Sequence, residues 1–238
     1  ATDARAQFEK AIALDSNFAL AYVGLANTAG TPKEFFDATT HAASLASKVT
    51  EGERHVILGL EATMKGDPAA TLSHYTTLVK LFPNDERAQT LLGNIYFVRQ
   101  DYQTAVEHFE KAIQINPSFT APYNQLGYAY RFLDRNDDAE KTFKKYTELI
   151  PDDPNPYDSY AELLMKMGRF DDSIKVYQKA LAIDPNFVSS YIGIGNDYLY
   201  KGDTEKARAA FAKINEIARN TGERRTSHLW IANSYVHD

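Results

Sequence analysis

Proline recurs at a fixed interval in this chain: Pro83, Pro117, Pro151 and Pro185 stand 34 residues apart. A period of that length with helical texture means one supersecondary unit repeated, each a helix, a turn and a second helix. Such a unit cannot bury its apolar face alone. It gains a core only by stacking on its neighbours, so the molecule is built along a line and has no single globular centre. The spacing therefore predicts an all-α protein of thirteen or fourteen helices and no sheet.

The rest of each period keeps the register. Residues 86–119 carry Leu92, Gly93, Tyr96, Ala105, Phe109, Ala112 and Pro117. Residues 120–153 carry Tyr123, Leu126, Gly127, Tyr130, Ala139, Phe143, Tyr146 and Pro151. Residues 154–187 carry Tyr157, Tyr160, Ala161, Leu164, Ser173, Tyr177, Ala180 and Pro185, and residues 188–221 carry Tyr191, Ile194, Gly195, Tyr198, Ala207, Phe211 and Ile214. Two looser units precede them, 19–51 and 52–85, the second with Leu58, Gly59, Ala62, Gly66, Tyr75, Leu78 and Pro83. Apolar residues at steps of three and four give each helix one buried stripe. The Gly or Ala after the Leu lets two antiparallel helices approach closely, and the Ala of the second helix is the other half of that crossing. The Pro ends the second helix because it has no N–H to donate.

Six units in register over nearly the whole chain resemble the tetratricopeptide repeat. The resemblance implies a right-handed α-solenoid, a single superhelix over 1–238. Stretches around Thr50–Arg54, Asn155–Tyr160 and Gly222–Arg225 are similar to bacterial multi-repeat proteins of undefined role, which points to a bacterial origin.

Helix punctuation agrees with the period. Thr31 before Pro32, Asp67 before Pro68 and Asp153 before Pro154 read as caps followed by a Pro in the first turn. Thr50 with Glu53 reads as a capping box. Gly66, Gly168 and Gly202 fall in the turns inside the units. Asp137/Asp138 and Asp171/Asp172 lie at the starts of second helices, where the helix dipole favours negative charge. That role accounts for them without acid–base chemistry. The ends break the pattern. Residues 1–18, with Ala4, Phe8, Ala11 and Ile12, carry only a second-helix signature; residues 222–238, with Leu229, Ile231, Ala232 and Tyr235, carry only a first-helix signature. Both are expected to be halves of truncated repeats with adhesive apolar faces, giving weak self-association. Trp230 in the last helix is expected to pack rather than to anchor a ligand.

Chemistry is sparse. With no cysteine there is no disulfide, thiol nucleophile or thiolate metal site. His74 and His108 are one period apart, no H-E-x-x-H occurs, and Gly193-Ile194-Gly195 lacks the strand a phosphate loop needs. No nucleophile, base and orienting group are brought together. No enzyme, no cofactor and no metal are therefore expected. A net charge of −6 argues against nucleic acid, and no apolar run is long enough for membrane insertion.

Binding is what remains. The resemblance implies that the second, fifth, ninth and twelfth positions of each first helix line a concave groove. Among the residues at those positions, Asn94, Phe97, Asn124, Tyr128, Arg131, Asp158, Glu162 and Asn196 are the candidate peptide-binding groove. An amide offers both a donor and an acceptor, so Asn at such sites suits the backbone of an extended peptide, or is simply tolerated there. The carboxylate-clamp members of the family need Lys and Arg at the fifth and ninth positions, and this chain has Val23/Asn27, Val56/Leu60, Thr90/Asn94, Asn124/Tyr128, Asp158/Glu162 and Ile192/Asn196. Asp158 and Glu162 beside Tyr128 and Arg131 favour instead a ligand with a basic side chain. The expected function is a non-catalytic scaffold for a protein or peptide partner; the alternative is a regulatory or sensor module of a larger bacterial protein.

Overall fold

The computed structural model describes residues 2–237, with the side chains of 4–236 placed. It is all helix among those residues: α1 (Thr2–Leu14), α2 (Ala19–Asn27), α3 (Pro32–Ser44), α4 (Glu51–Met64), α5 (Pro68–Leu81), α6 (Glu86–Val98), α7 (Tyr102–Ile115), α8 (Ala121–Phe132), α9 (Asn136–Leu149), α10 (Pro154–Lys166), α11 (Phe170–Ile183), α12 (Val188–Tyr200), α13 (Thr204–Ile217) and α14 (Thr221–Ser234). Single 3-10 turns follow α3 and α14. The helices divide between two compact units, one up to Asn116 and one from Pro117. In the first, α2 pairs with α3, α4 with α5 and α6 with α7; in the second, α8 pairs with α9, α10 with α11 and α12 with α13. Each unit is a stack of helix pairs, the α-solenoid class.

The close approach in each pair has one recurrent cause. A Cβ built on Gly127 would lie 2.5 Å from Phe143 Cζ, and one on Gly93 would lie 2.7 Å from Phe109 Cε1. Gly59 meets Tyr75 and Gly195 meets Phe211 in the same way. The aromatic ring of the second helix thus lies flat where the first helix has no side chain. Phe109, Phe143 and Phe211 are fully buried there, each contributing roughly 1.5–3 kcal/mol of transfer free energy. Phe8 rests on Gly24 of the next helix, and the Trp230 ring stacks on Phe211 at 5.6 Å, so both residues pack.

Helix ends are capped as their residues dictate. Thr31 accepts from Glu34 N–H, Asp67 from Ala69 and Ala70, and Asp153 from Asn155. Thr50 and Glu53 form the reciprocal box. Gly66, Gly168 and Gly202 have φ of 69°, 74° and 77°, the left-handed conformation that ends a first helix. Gln100 and Asp134 occupy the same repeat position with φ of 62° and 57°, so the turn geometry belongs to the repeat and is imposed on residues that carry a Cβ.

Candidate functional site

In the second unit α10 touches both α8 and α12, so the first helices lie side by side as one wall. Asn124, Tyr128 and Arg131 fall on one face of α8 because they are four and three residues apart. Asp158 and Glu162 share a face of α10 for the same reason, and Asn196 is half-buried on α12.

Three of these side chains are assembled across the α8–α10 seam. The Tyr128 hydroxyl donates to Glu162 Oε2 at 2.7 Å, and Arg131 Nη1 donates to Glu162 Oε1 at 2.8 Å. The Arg131 guanidinium lies 5.1 Å from the Tyr128 ring centre, which in turn meets Phe143 edge-on at 5.3 Å. Burial, then the Glu162 charge, pushes the Tyr128 phenol well above its ordinary value. Glu162 is therefore engaged within the wall, and it offers less to a basic ligand than its sequence position implied. Asp158 accepts a hydrogen bond from Ser190 Oγ at 2.7 Å. Burial raises its pKa to about 6; Glu162 adds to the rise and Ser190 opposes it.

The amides behave differently. Asn124 Oδ1 is buried and meets no hydrogen-bond donor within the protein. On α6 of the first unit, Asn94 Oδ1 is in the same condition, and Phe97 beside it packs edge-on against Tyr102 at 5.4 Å. Asn94 and Phe97 thus belong to one unit and the other six named residues to the second.

Sequence reasoning missed Asp197 on α12. It is wholly buried and neither carboxylate oxygen has a hydrogen-bond partner. Burial lifts its pKa to about 7. The Ser173 hydroxyl lies near, but its proton goes to the Ala161 carbonyl at 2.9 Å. Tyr177 reaches over Gly193 towards the same region, and burial with the charges of Asp158, Asp197 and Glu162 raises its phenol far above normal. One signal was present: the residues one and two periods before Asp197 are Leu163 and Ala129, both apolar.

Three of the four adjacent acids elsewhere are engaged as ion pairs. Asp138 pairs with Arg135 at 2.9 Å, Asp172 with Arg169 at 3.1 Å, and Asp171 with Lys201. Among the described residues no group of three or more His, Asp or Glu could hold a metal ion, and no helix is long and apolar enough to cross a membrane.

Comparison with known proteins gives one consistent answer. A family model described as TPR repeat matches residues 93–131 and 161–202, and one described as Tetratricopeptide repeat matches 121–153 and 188–221. Together they span about half of the chain. A crystal structure of MamA is 26% identical, with a TM-score of 0.61, over 67% of this chain and 94% of that one. The TPR protein TTC0263 of Thermus thermophilus is 19% identical, with a TM-score of 0.61, over 78% of this chain and 99% of that one. YrrB, described as a TPR protein with an unusual peptide-binding site, is 19% identical over 93% of this chain and 96% of its own, with a TM-score of 0.56. No curated protein sequence matches the chain.

Proposed function

Because this chain belongs to the tetratricopeptide-repeat family, whose fold is typical of protein–protein interaction, we propose that it is a non-catalytic scaffold whose first helices hold an extended segment of a partner protein. The observation that carries this reading is an unmet amide oxygen on a first helix of each unit, Asn94 Oδ1 in the first and Asn124 Oδ1 in the second. A buried acceptor without a donor costs about 1–3 kcal/mol, and native proteins keep few of them. Both stand at positions that the family turns towards its ligand. A peptide N–H brought alongside would satisfy each one, and a backbone contact of that kind demands little of the ligand's sequence. Tyr128 and Arg131, held by Glu162, add a rigid aromatic and cationic surface next to Asn124. The peptide-binding site for which YrrB is described supports the same use of the fold.

An extended segment loses much conformational entropy when it is ordered, so affinity for one segment is expected at roughly micromolar. The test is selection of peptides from a random display library against the parent protein, followed by calorimetry. Asn124→Ala and Tyr128→Ala should each weaken the selected peptide several-fold with helix content unchanged. Equal affinity for parent and both variants would place binding on another face.

A further inference from the structure

Within the first unit, one pair of positions 19 residues apart meets across each helix pair, and histidine recurs there. His41 of α3 lies against Tyr22 of α2 with ring centres 4.0 Å apart. His108 Nδ1 of α7 is 2.8 Å from Gln89 Oε1 of α6. Between them, His55 Nδ1 of α4 is 3.0 Å from His74 Nδ1 of α5. The matching pairs of the second unit, Tyr123/Thr142, Tyr157/Val176 and Tyr191/Ala210, contain no histidine.

The two imidazoles face each other head-on. Their ring centres are 5.3 Å apart, the greatest separation that a 3.0 Å nitrogen contact permits, so each Nδ1 points straight at the other. Two lone pairs so placed would repel. One ring must present N–H and the other a lone pair. A metal ion does not fit the same line, because zinc stands about 2.0–2.1 Å from each imidazole nitrogen it binds.

We propose that His55 and His74 form a one-proton latch between α4 and α5, closed while a single proton lies between the two Nδ1 atoms and opened when a second is forced in. The first proton added on acidification goes to Nε2 of the donor ring. It leaves the bridge intact and strengthens it with charge. The next can only go to Nδ1 of the acceptor ring, and two N–H groups then point at each other. Three acids share α4 with His55: Glu51 stands four residues before it, Glu53 is held in the helix cap, and Glu61 partly offsets charge on His74. His74 feels His55 and Glu61, and Glu61 is held by Lys65 at 2.6 Å. On α3, Lys33 pairs with Asp37 at 2.5 Å and Glu34 with Arg5 at 2.7 Å. The 3-10 turn after α3 contributes Lys48, whose ammonium donates to Asn17. On α6, Glu86 accepts from Asn116 and Arg87 is exposed, while α2 carries no charged residue. Burial and then the His55 charge lower the His74 pKa, so the fold resists full protonation of the pair. The Gln89–His108 contact has no such limit, since an amide oxygen accepts from neutral imidazole and imidazolium alike.

The test is a nitrogen-15 NMR titration of the histidine rings in the whole protein from pH 8 to 4. The two rings should take up their protons in separate, coupled steps, the second only as the Nδ1–Nδ1 contact is lost. The amide signals of α4 and α5 should shift with the second step. Independent, coincident titration of the two rings would overturn the proposal without any variant. Replacement by His55→Gln copies the Gln–His contact one repeat on. It should match the parent's denaturation midpoint at pH 7.5 and exceed it at pH 4.5. The same pH dependence in parent and variant would also overturn it.

Discussion

Replacing Asp197 by Asn should stabilise the protein, and by an amount that depends on pH. Asp197 is fully buried with no hydrogen bond to either oxygen, and its pKa in the fold is about 7. In the unfolded chain an Asp titrates near 3.9, so the rise is about 3 units, or at most about 4 kcal/mol once the group is ionised in the fold. The sign follows from proton binding. Between pH 4 and 7 the folded protein holds this proton and the unfolded chain does not, so stability falls as pH rises and levels off above 7. Asn removes that slope. Its amide also finds few partners, which costs about 1 kcal/mol, leaving an expected gain of roughly 2–3 kcal/mol at pH 8. Near pH 4 the gain should vanish or turn into a small loss. The assay is urea denaturation followed by circular dichroism at several pH values, with midpoints compared because stacked repeats need not unfold in one step. An Asn variant no more stable than the parent at pH 8, or an advantage that does not change with pH, would refute the idea that Asp197 is an uncompensated buried acid.

Gly127→Ala should destabilise by about 1–3 kcal/mol in thermal unfolding although Ala is the better helix former, because its Cβ would lie 2.5 Å from Phe143 Cζ; Gly127→Leu should cost more. Tyr128→Phe and Glu162→Gln should show a coupling of about 1 kcal/mol in a double-mutant cycle of chemical denaturation, since the 2.7 Å hydrogen bond joins them directly. Burial alone would raise the Glu140 pKa, but hydrogen bonds from Lys144, Tyr160 and Arg169 bring it down to about 2. Its stabilisation is present above the ordinary value near 4.3 and lost as pH falls towards 2, so Glu140→Gln should flatten that part of the acid-denaturation curve. Leu229, Tyr235 and Val236 are exposed on the last helical segment, so weak self-association is expected in analytical ultracentrifugation, and less of it for Leu229→Glu.

The family model and the fold agree with what the 34-residue period implied, and the reason is that every signal behind it is local or strictly periodic. Helix caps depend on a side chain and an N–H two or three residues on. Apolar stripes depend on steps of three and four. In four helix pairs, Gly59–Tyr75, Gly93–Phe109, Gly127–Phe143 and Gly195–Phe211, the glycine of the first helix and the ring of the second stand 16 residues apart, so these contacts follow the repeat spacing. The wall positions were legible only through the family resemblance, since nothing in the spacing of Asn94 or Asn124 says which way an amide faces.

What tertiary structure decided was which polar groups satisfy one another. Asp158 and Glu162 are alike in sequence, yet Glu162 is taken up by Tyr128 and Arg131 while Asp158 has Ser190. Asp197 is a polar residue in a helix until docking of its neighbours removes all its water and leaves both oxygens unpaired. The His55–His74 contact depends on two rotamers meeting across a helix pair, and in the next pair the same geometry joins Gln89 to His108. Local sequence sets helix, cap and stripe because those interactions reach only a turn or two. Desolvation and side-chain pairing depend on atoms delivered from other helices, and they exist only once the helices have packed.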